Sequence, residues 1–218
     1  MKVILSGGGT GGHIYPALTI ADQIKKLCPD ADISFVGTQQ GLEKDIIPRY
    51  GYPLKFIEVA GFRRSLSLDT LRSAAKLVAG LYDAYRIIKN ERPDLVIGTG
   101  GYVCGPIVFM AALHGIPCCI QEQNAMPGVT NKILSRYVRK VFLGYKEAGK
   151  YFHGKAELEY TGNPIRTEIL EHTREEALKE LGLDAAKKTI LVSGGSRGAR
   201  SINNAMLEAE LALSGRGD

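Results

Sequence analysis

The sequence predicts an α/β protein built on a doubly wound parallel sheet. Short apolar runs rich in β-branched residues alternate with segments of helical periodicity, and glycine-rich stretches follow several of these runs. The composition fits this class, since 44% of the 218 residues are hydrophobic and 23% are charged, which excludes disorder, collagen and coiled coil. Such sheets bind ligands beyond the carboxyl ends of their strands, so we expect function in the glycine-rich stretches.

The alternation runs from the amino terminus to residue 143. It predicts strands at 3–5, 33–36, 54–59, 95–97, 118–120 and 141–143, and helices at 16–27, 68–90, 102–114 and 129–137. A turn-rich break covers 161–166, and beyond it we expect a charged helix at 174–181, a buried strand at 189–192 and a helix at 199–213. We therefore predict one domain over 1–163 and the opening of a second over 164–218. One strand cannot form an independent sheet, so we expect this second domain to be truncated.

The charge balance favours an anionic partner. Lys and Arg number 28 against 23 Asp and Glu, a net charge of +5, which suits phosphates, nucleic acid or a lipid surface. The absence of a nucleic-acid motif and of any long basic run argues against nucleic acid. The sequence has neither a signal peptide nor a stretch approaching the roughly 20 apolar residues of a membrane span, which predicts a cytoplasmic chain. Cys28, Cys104, Cys118 and Cys119 lack metal-binding spacing, and we expect buried, reduced thiols.

The first glycine loop, residues 7–13 (GGGTGGH), lies between a predicted strand and a predicted helix. Glycine lets the backbone approach a ligand, and the start of a helix attracts phosphate. The loop also satisfies G-x-G-x-x-G, but a dinucleotide cofactor requires an acidic residue at the carboxyl end of the second strand. That strand is followed by Gly37 and Thr38, and Asp32 precedes it. A nicotinamide or flavin cofactor and a purely structural turn remain alternatives to phosphate binding.

Two further loops repeat this design. The second glycine loop covers residues 98–106 (GTGGYVCGP) and the third covers residues 193–199 (SGGSRGA). Each could be a structural turn by itself, whereas three such loops favour a cleft that binds pyrophosphate groups. None contains G-x-x-x-x-G-K-[ST], which argues against a P-loop that hydrolyses ATP or GTP.

Five motifs together resemble the MurG family. They are GGTGGH at 8–13, GGY at 100–102 with GP at 105–106, EQN at 122–124, GNPIR at 162–166, and GGS at 194–196 with GAR at 198–200. The resemblance implies a GT-B fold with two Rossmann-like domains, the first binding acceptor and membrane and the second binding UDP-GlcNAc. It implies an inverting transfer of GlcNAc from UDP-GlcNAc to the C4 hydroxyl of undecaprenyl-pyrophosphoryl-MurNAc-pentapeptide (lipid I), which gives lipid II. Neither a metal nor another cofactor is implied.

The same resemblance suggests roles for particular residues. UDP-GlcNAc would contact Thr10, Gly11, Gly12, Asn124, Arg166 and Ser196, and the acceptor diphosphate would contact Gly100, Gly101 and Tyr102. His13 is a candidate general base for the acceptor hydroxyl, because imidazole titrates near neutral pH. The alternatives are that His13 only hydrogen-bonds the substrate or caps the loop, and that Glu122 is the base. Glu122 could instead orient Asn124 or a loop amide.

An apolar stripe on the helix predicted at 68–90 is relevant to the membrane. It consists of Leu68, Leu71, Ala75, Val78, Tyr82, Tyr85 and Ile88, and its basic neighbours are Arg63, Arg64, Arg72 and Lys76. Its spacing predicts a face packed on the sheet. The resemblance implies instead that a basic-rimmed patch meets anionic inner-leaflet lipids, which would make the protein peripheral on the cytoplasmic side of the cell membrane.

The sequence also departs from the family. Gln121 stands where the family often has His, Arg197 where it often has Gln, and the later acidic and Gln-Asn-Ala motifs are missing. We therefore expect an incomplete donor site. Three hypotheses remain open: a glycosyltransferase, a truncated non-catalytic fragment that binds only acceptor and membrane, and an NAD-dependent oxidoreductase.

Overall fold

The computed structural model describes residues 1–59, 68–194 and 199–213, and for 68–75, 168 and 211–213 it describes the backbone only. The chain divides into two compact units, Met1–Ile165 and Arg166–Asp218. This division lies next to the boundary predicted at residue 163. What each part binds stays a prediction.

The first unit contains a parallel sheet of seven strands. They are β1 (Lys2–Gly7), β2 (Asp32–Gly37), β3 (Leu54–Phe56), β4 (Leu95–Gly100), β5 (Cys118–Glu122), β6 (Lys140–Leu143) and β7 (Glu157–Tyr160). Their order across the sheet is β3-β2-β1-β4-β5-β6-β7, and every neighbouring pair is parallel. The strand order reverses between β1 and β4, so the connections that follow these two strands diverge over opposite faces. The predicted α/β class with a doubly wound sheet is confirmed.

Helices cover both faces of this sheet. They are α1 (Gly11–Leu27), α2 (Glu43–Arg49), α3 (Leu68–Glu91), α4 (Cys104–Leu113) and α5 (Val129–Leu134), with a 3-10 helix at Lys146–Tyr151. Side chains of β1 alternate between two cores: Val3 and Leu5 belong to one and Ile4 to the other. A parallel sheet buried on both faces needs such apolar strands, which is why β1 was recognisable from the sequence.

The apolar stripe predicted on α3 is not one buried face. Ile88 is buried, but Val78 is 67% exposed and Tyr82 is 61% exposed. Small residues let the helix pack closely instead, since Ala84 is buried and a Cβ on Gly80 would lie 2.6 Å from the carbonyl oxygen of Glu58, in the segment that follows β3. This close approach turns the face that bears Val78 and Tyr82 away from the core. The side chains of Leu68, Leu71 and Ala75 lie outside the described residues.

The second unit contains a 3-10 helix (Thr167–Leu170), α6 (Arg174–Glu180) and α7 (Arg200–Leu213). The predicted helix at 174–181 is confirmed, and Thr173 and Glu176 form a capping box at its start. The predicted buried strand at 189–192 is wrong: the segment has no regular structure, and Ile190 and Leu191 are 82% and 87% exposed. A strand needs a neighbour for its backbone hydrogen bonds, and the described residues of this unit provide none.

Candidate active site

The strand order brings the first two glycine loops together. The Thr99 hydroxyl, at the end of β4, donates a hydrogen bond of 2.7 Å to the backbone carbonyl of His13. A Cβ atom on Gly101 would collide with the carbonyl oxygen of Gly8. The two loops therefore pack against each other where the strand order reverses, which is the place where doubly wound sheets bind ligands.

The amino end of α1 offers hydrogen-bond donors to a ligand. Thr10 is its N-cap residue in an extended conformation, and the Thr10 side chain makes no capping bond. The amides of His13 and Ile14 donate to the Thr10 carbonyl at 3.1 and 3.3 Å, whereas those of Gly11 and Gly12 have no acceptor among the described residues. The first turn also carries no acidic side chain. Two amide donors and the positive end of the helix dipole suit a phosphate group.

A buried carboxylate, which the sequence analysis missed, holds the first glycine loop. Glu43 begins α2 and is 1% exposed. It accepts hydrogen bonds from the Gly9 amide at 3.0 Å, from the Thr38 amide at 3.0 Å and from the Thr38 hydroxyl at 2.8 Å. A Cβ on Gly8 would lie 2.7 Å from this carboxylate. The Gly9 amide is thus engaged within the protein, and the donors left to a ligand are those of Gly11 and Gly12.

The second glycine loop forms the wall behind His13. Gly100 and Gly101 have φ values of 104° and 79°, which non-glycine residues rarely adopt. A Cβ on Gly100 would lie 2.9 Å from Nδ1 of His13, and one on Gly9 would lie 3.2 Å from the Tyr102 ring. Glycine is therefore required both by the backbone conformation and by the closeness of the imidazole.

The hydrogen bonds of His13 define its tautomer. Nδ1 lies 3.0 Å from the Thr99 carbonyl oxygen and 3.0 Å from Oε1 of Gln123. Both oxygens can only accept, so Nδ1 carries the proton of the neutral ring and Nε2 carries the lone pair. The ring is half-buried. His13 is thereby held in the form that can take a proton through Nε2.

Glu122, the rival base, is fully engaged inside the protein. It is 1% exposed, and its Oε1 accepts from the amide and the side chain of Asn124, each at 2.9 Å. Its Oε2 accepts from the Gly128 amide at 3.1 Å and from Nδ2 of Asn131 at 2.9 Å. These four donors occupy both carboxylate oxygens, so neither is left to receive a proton from a substrate hydroxyl. The arrangement instead orients Asn124 and the loop after β5.

The predicted site residues fall into three groups. One group lies at the carboxyl edge of the sheet, in loops, at the start of α1 or at the end of β4, and consists of Thr10, Gly11, Gly12, His13, Gly100, Gly101, Tyr102 and Asn124. Arg166 is the first residue of the second unit. Lys76 is exposed on α3 and Arg72 is described by its backbone only, while Arg63, Arg64 and Ser196 lie outside the described residues.

An apolar groove adjoins the site between α3, α4 and α5. Its volume is about 390 Å³, and its lining includes Leu77, Leu81, Phe109, Ile133 and Tyr137. Tyr102, from the second glycine loop, also lines this groove. The same side chain therefore borders both the apolar groove and the first glycine loop.

In the part of the chain that the structure describes, the site contains neither a reactive thiol nor a cluster of metal-ligating side chains. Burial raises the pKa of the Cys104 thiol to about 12, so this residue at the start of α4 is a poor nucleophile. The prediction of burial is wrong for Cys28, which is exposed at the end of α1. Among the described residues, no three His, Cys, Asp or Glu side chains are grouped to hold a metal ion, and no helix is long and apolar enough to cross a membrane.

Comparisons with known proteins identify the family. The family profile of the glycosyltransferase family 28 N-terminal domain matches residues 3–143. A curated relative from Thermoanaerobacter sp. (strain X514) is 55% identical over 95% of this chain, and one from Acetivibrio thermocellus is 54% identical over the same share. Both are named UDP-N-acetylglucosamine–N-acetylmuramyl-(pentapeptide) pyrophosphoryl-undecaprenol N-acetylglucosamine transferase.

A solved structure agrees with this assignment. The crystal structure of Acinetobacter baumannii MurG is 31% identical, with a TM-score of 0.62, and the match covers 77% of this chain and 46% of that one. The chain spans 57% and 56% of the length of the two curated relatives. The GT-B type of fold expected from the sequence is confirmed by these matches. The chain belongs to glycosyltransferase family 28 and, within it, to the MurG family.

Proposed function

We propose that this chain carries the acceptor side and the catalytic base of a transferase that makes lipid II. The enzyme moves GlcNAc from UDP-GlcNAc to the C4 hydroxyl of lipid I, with inversion at the sugar C1. The observation that carries the proposal is the state of His13, whose Nδ1 is bonded to two oxygens. Its Nε2 is left to accept a proton beside the open start of α1. The names of the curated relatives support the choice of substrates.

The two substrates both bring diphosphates to the site. We assign the donor UDP-GlcNAc to Thr10, Gly11 and Gly12 at the start of α1, together with Asn124, Arg166 and Ser196. The amides of Gly11 and Gly12 and the Arg166 guanidinium suit a diphosphate, because each donates hydrogen bonds to anionic oxygens. The acceptor diphosphate is assigned to Gly100, Gly101 and Tyr102.

The reaction follows from these positions. Nε2 of His13 takes the proton of the acceptor C4 hydroxyl as its oxygen attacks C1 of GlcNAc. The bond between C1 and the UDP oxygen breaks on the opposite side, which inverts the configuration. The departing UDP keeps the bonding electron pair, and the amides at the start of α1 stabilise its charge. No cofactor takes part in this scheme.

The acceptor's lipid also requires a membrane surface. We propose peripheral association with the cytoplasmic side of the cell membrane through Arg63, Arg64, Arg72 and Lys76 and anionic inner-leaflet lipids. The exposed side chains of Val78 and Tyr82 and the apolar groove beside Tyr102 support membrane contact near α3. Neutralising the four basic residues should weaken partitioning of the protein onto anionic vesicles. Unchanged partitioning would show that these residues do not bind the membrane.

The oxidoreductase alternative is disfavoured by β2. Asp32 is the first residue of this strand, at the end of the sheet opposite the glycine loops. No carboxylate of β2 can therefore reach a ribose bound at the first loop, as the dinucleotide pattern requires. A fragment that binds acceptor and membrane without turnover is the second candidate.

Acceptor-dependent UDP release tests the proposal. The chain is given UDP-GlcNAc with and without a lipid I analogue, and a full-length relative serves as positive control. We expect His13→Asn to lower the release by about 100-fold or more, and His153→Asn, at an exposed histidine, to leave it unchanged. Release that survives His13→Asn contradicts the assignment of the base. A folded chain that binds the acceptor but releases no UDP supports the fragment hypothesis instead.

A further inference from the structure

A chain of side-chain amides links His13 to the end of the first unit. Oε1 of Gln123 accepts from Nδ1 of His13 at 3.0 Å, and Nε2 of Gln123 donates to Oε1 of Gln121. Nε2 of Gln121 then donates to Oδ1 of Asn163 at 3.2 Å. Gln121 is 1% exposed, so the middle of this chain is shielded from water. Asn163 lies close to Ile165, the last residue of the unit.

Every link of this chain has the same direction. The nitrogen donates toward Asn163 and the oxygen faces His13, so the amide dipoles are aligned. Backbone contacts fix both ends, because Nε2 of Gln123 donates to the Thr99 carbonyl at 2.7 Å and Nδ2 of Asn163 donates to the Gln123 carbonyl at 3.2 Å. Gly144 leaves the space that Asn163 fills, since a Cβ there would collide with the Asn163 side chain.

The alignment has a chemical consequence for His13. Oxygens directed at Nδ1 keep the proton on that nitrogen, and they also stabilise the positive charge that arises when Nε2 takes a proton. The residue in the middle must accept on one side and donate on the other. A glutamine amide can do both, and so can a neutral imidazole, whereas an aliphatic side chain can do neither.

We propose that Gln123, Gln121 and Asn163 form a positioning relay that fixes the tautomer and orientation of the His13 ring. This inference rests on the proposed function, in which His13 is the base. None of the three is assigned a contact with substrate. Their effect passes through His13 alone.

Nitrogen NMR of the imidazole tests the relay without turnover, so its outcome is separate from that of the proposed function. The chain is labelled with ¹⁵N-histidine, and the ring signals of His13 are identified by their loss in His13→Asn. We expect one tautomer in the wild type, protonated at Nδ1. Gln121→Leu should give a mixture of tautomers and faster exchange of the Nδ1 proton with water. Gln121→His should restore the single tautomer, because imidazole supplies both a donor and an acceptor.

Gln40→Leu is the matched control, because Gln40 is an exposed glutamine in the turn between β2 and α2. Thermal unfolding shows whether each variant folds. If Gln121→Leu does not fold, Asn163→Ala, which removes the terminal acceptor, is compared with Asn163→Asp, which keeps it. A folded Gln121→Leu or Asn163→Ala variant that retains the single Nδ1-protonated tautomer would overturn the relay. A wild-type ring protonated at Nε2 would also overturn the relay. A Gln121→His variant that does not regain the single tautomer would overturn it as well.

Discussion

The two edges of the sheet use carboxylates in different ways. At the carboxyl edge, Glu43 and Glu122 are each 1% exposed and accept hydrogen bonds from loop amides and polar side chains. At the amino edge, the Glu91 side chain is 23% exposed and pairs with Lys2 at 3.0 Å and Lys55 at 2.6 Å. Buried acceptors fix the geometry of loops, whereas ion pairs that remain in contact with water contribute little. The buried carboxylates, whose removal from water costs free energy, therefore lie at the edge of the sheet where the ligand is expected.

Replacing Glu122 should have the largest effect. Glu122→Ala leaves the donors of Asn124, Gly128 and Asn131 without their acceptor, so we expect a loss of about 3–5 kcal/mol in the free energy of unfolding. Urea denaturation measures this loss. Glu157→Ala on the edge strand β7 is the control and should cost at most about 0.5 kcal/mol. Equal effects of the two substitutions would remove the contrast between buried and exposed carboxylates.

The second glycine loop should be the next most sensitive feature. Gly101 and Gly115 both have a positive φ, 79° and 75°, but only the Cβ of Gly101 would meet another atom, the Gly8 carbonyl oxygen. We expect Gly115→Ala to cost about 1 kcal/mol and Gly101→Ala about 3 kcal/mol in the free energy of unfolding. The difference isolates the contact between the loops. It should vanish if the loops separate in solution.

Glu43→Gln should have a smaller and more local effect. The variant can keep an oxygen toward Thr38 but then presents an NH₂ group to the Gly9 amide, which should cost about 1–2 kcal/mol in the free energy of unfolding. Hydrogen exchange of the Gly9 amide should become faster, while exchange at Gly12 stays as fast as in the wild type. Unchanged protection of Gly9 would mean that Glu43 does not hold the loop.

The ion pairs at the amino edge should matter least. Hydrogen bonds from Lys55 and Lys2 lower the pKa of Glu91. Because the folded-state pKa is below the unfolded one, the stabilisation is present above the unfolded pKa and disappears as the pH falls through the folded pKa. We expect Glu91→Gln to cost less than about 1 kcal/mol at pH 7. This difference from the wild type should shrink in acid, and a difference that grows there would contradict the assignment.

The sequence predicted the features that local patterns encode. Buried strands such as β1 and the first two glycine loops were recognisable, because apolar runs and glycine clusters mark them. Helix α2 was missed because it has seven residues and contains Pro48, and β7 was missed because all its residues are exposed. The strand predicted at 189–192 failed because an apolar run alone does not supply a neighbour.

The site was predictable only in part, because some of its contacts join distant positions. Glu43 is 34 residues from Gly9, and Gln121 is 42 residues from Asn163. No spacing rule connects such pairs, since strand order determines which of them meet. His13 could be proposed from the motif, but the state of its ring depends on Thr99 and Gln123. The roles of Arg166 and Ser196 stay predictions.

The central claim is that the open start of α1 binds a diphosphate beside His13. Amide NMR during a titration with UDP-GlcNAc tests this claim most directly, with the amide of Gly115, in a remote turn, as internal reference. The account predicts saturable shifts at Gly11 and Gly12 and a smaller shift at Gly9, whose amide is bonded to Glu43. Shifts at Gly11 and Gly12 no larger than that of Gly115, at concentrations that saturate a full-length relative, would contradict it.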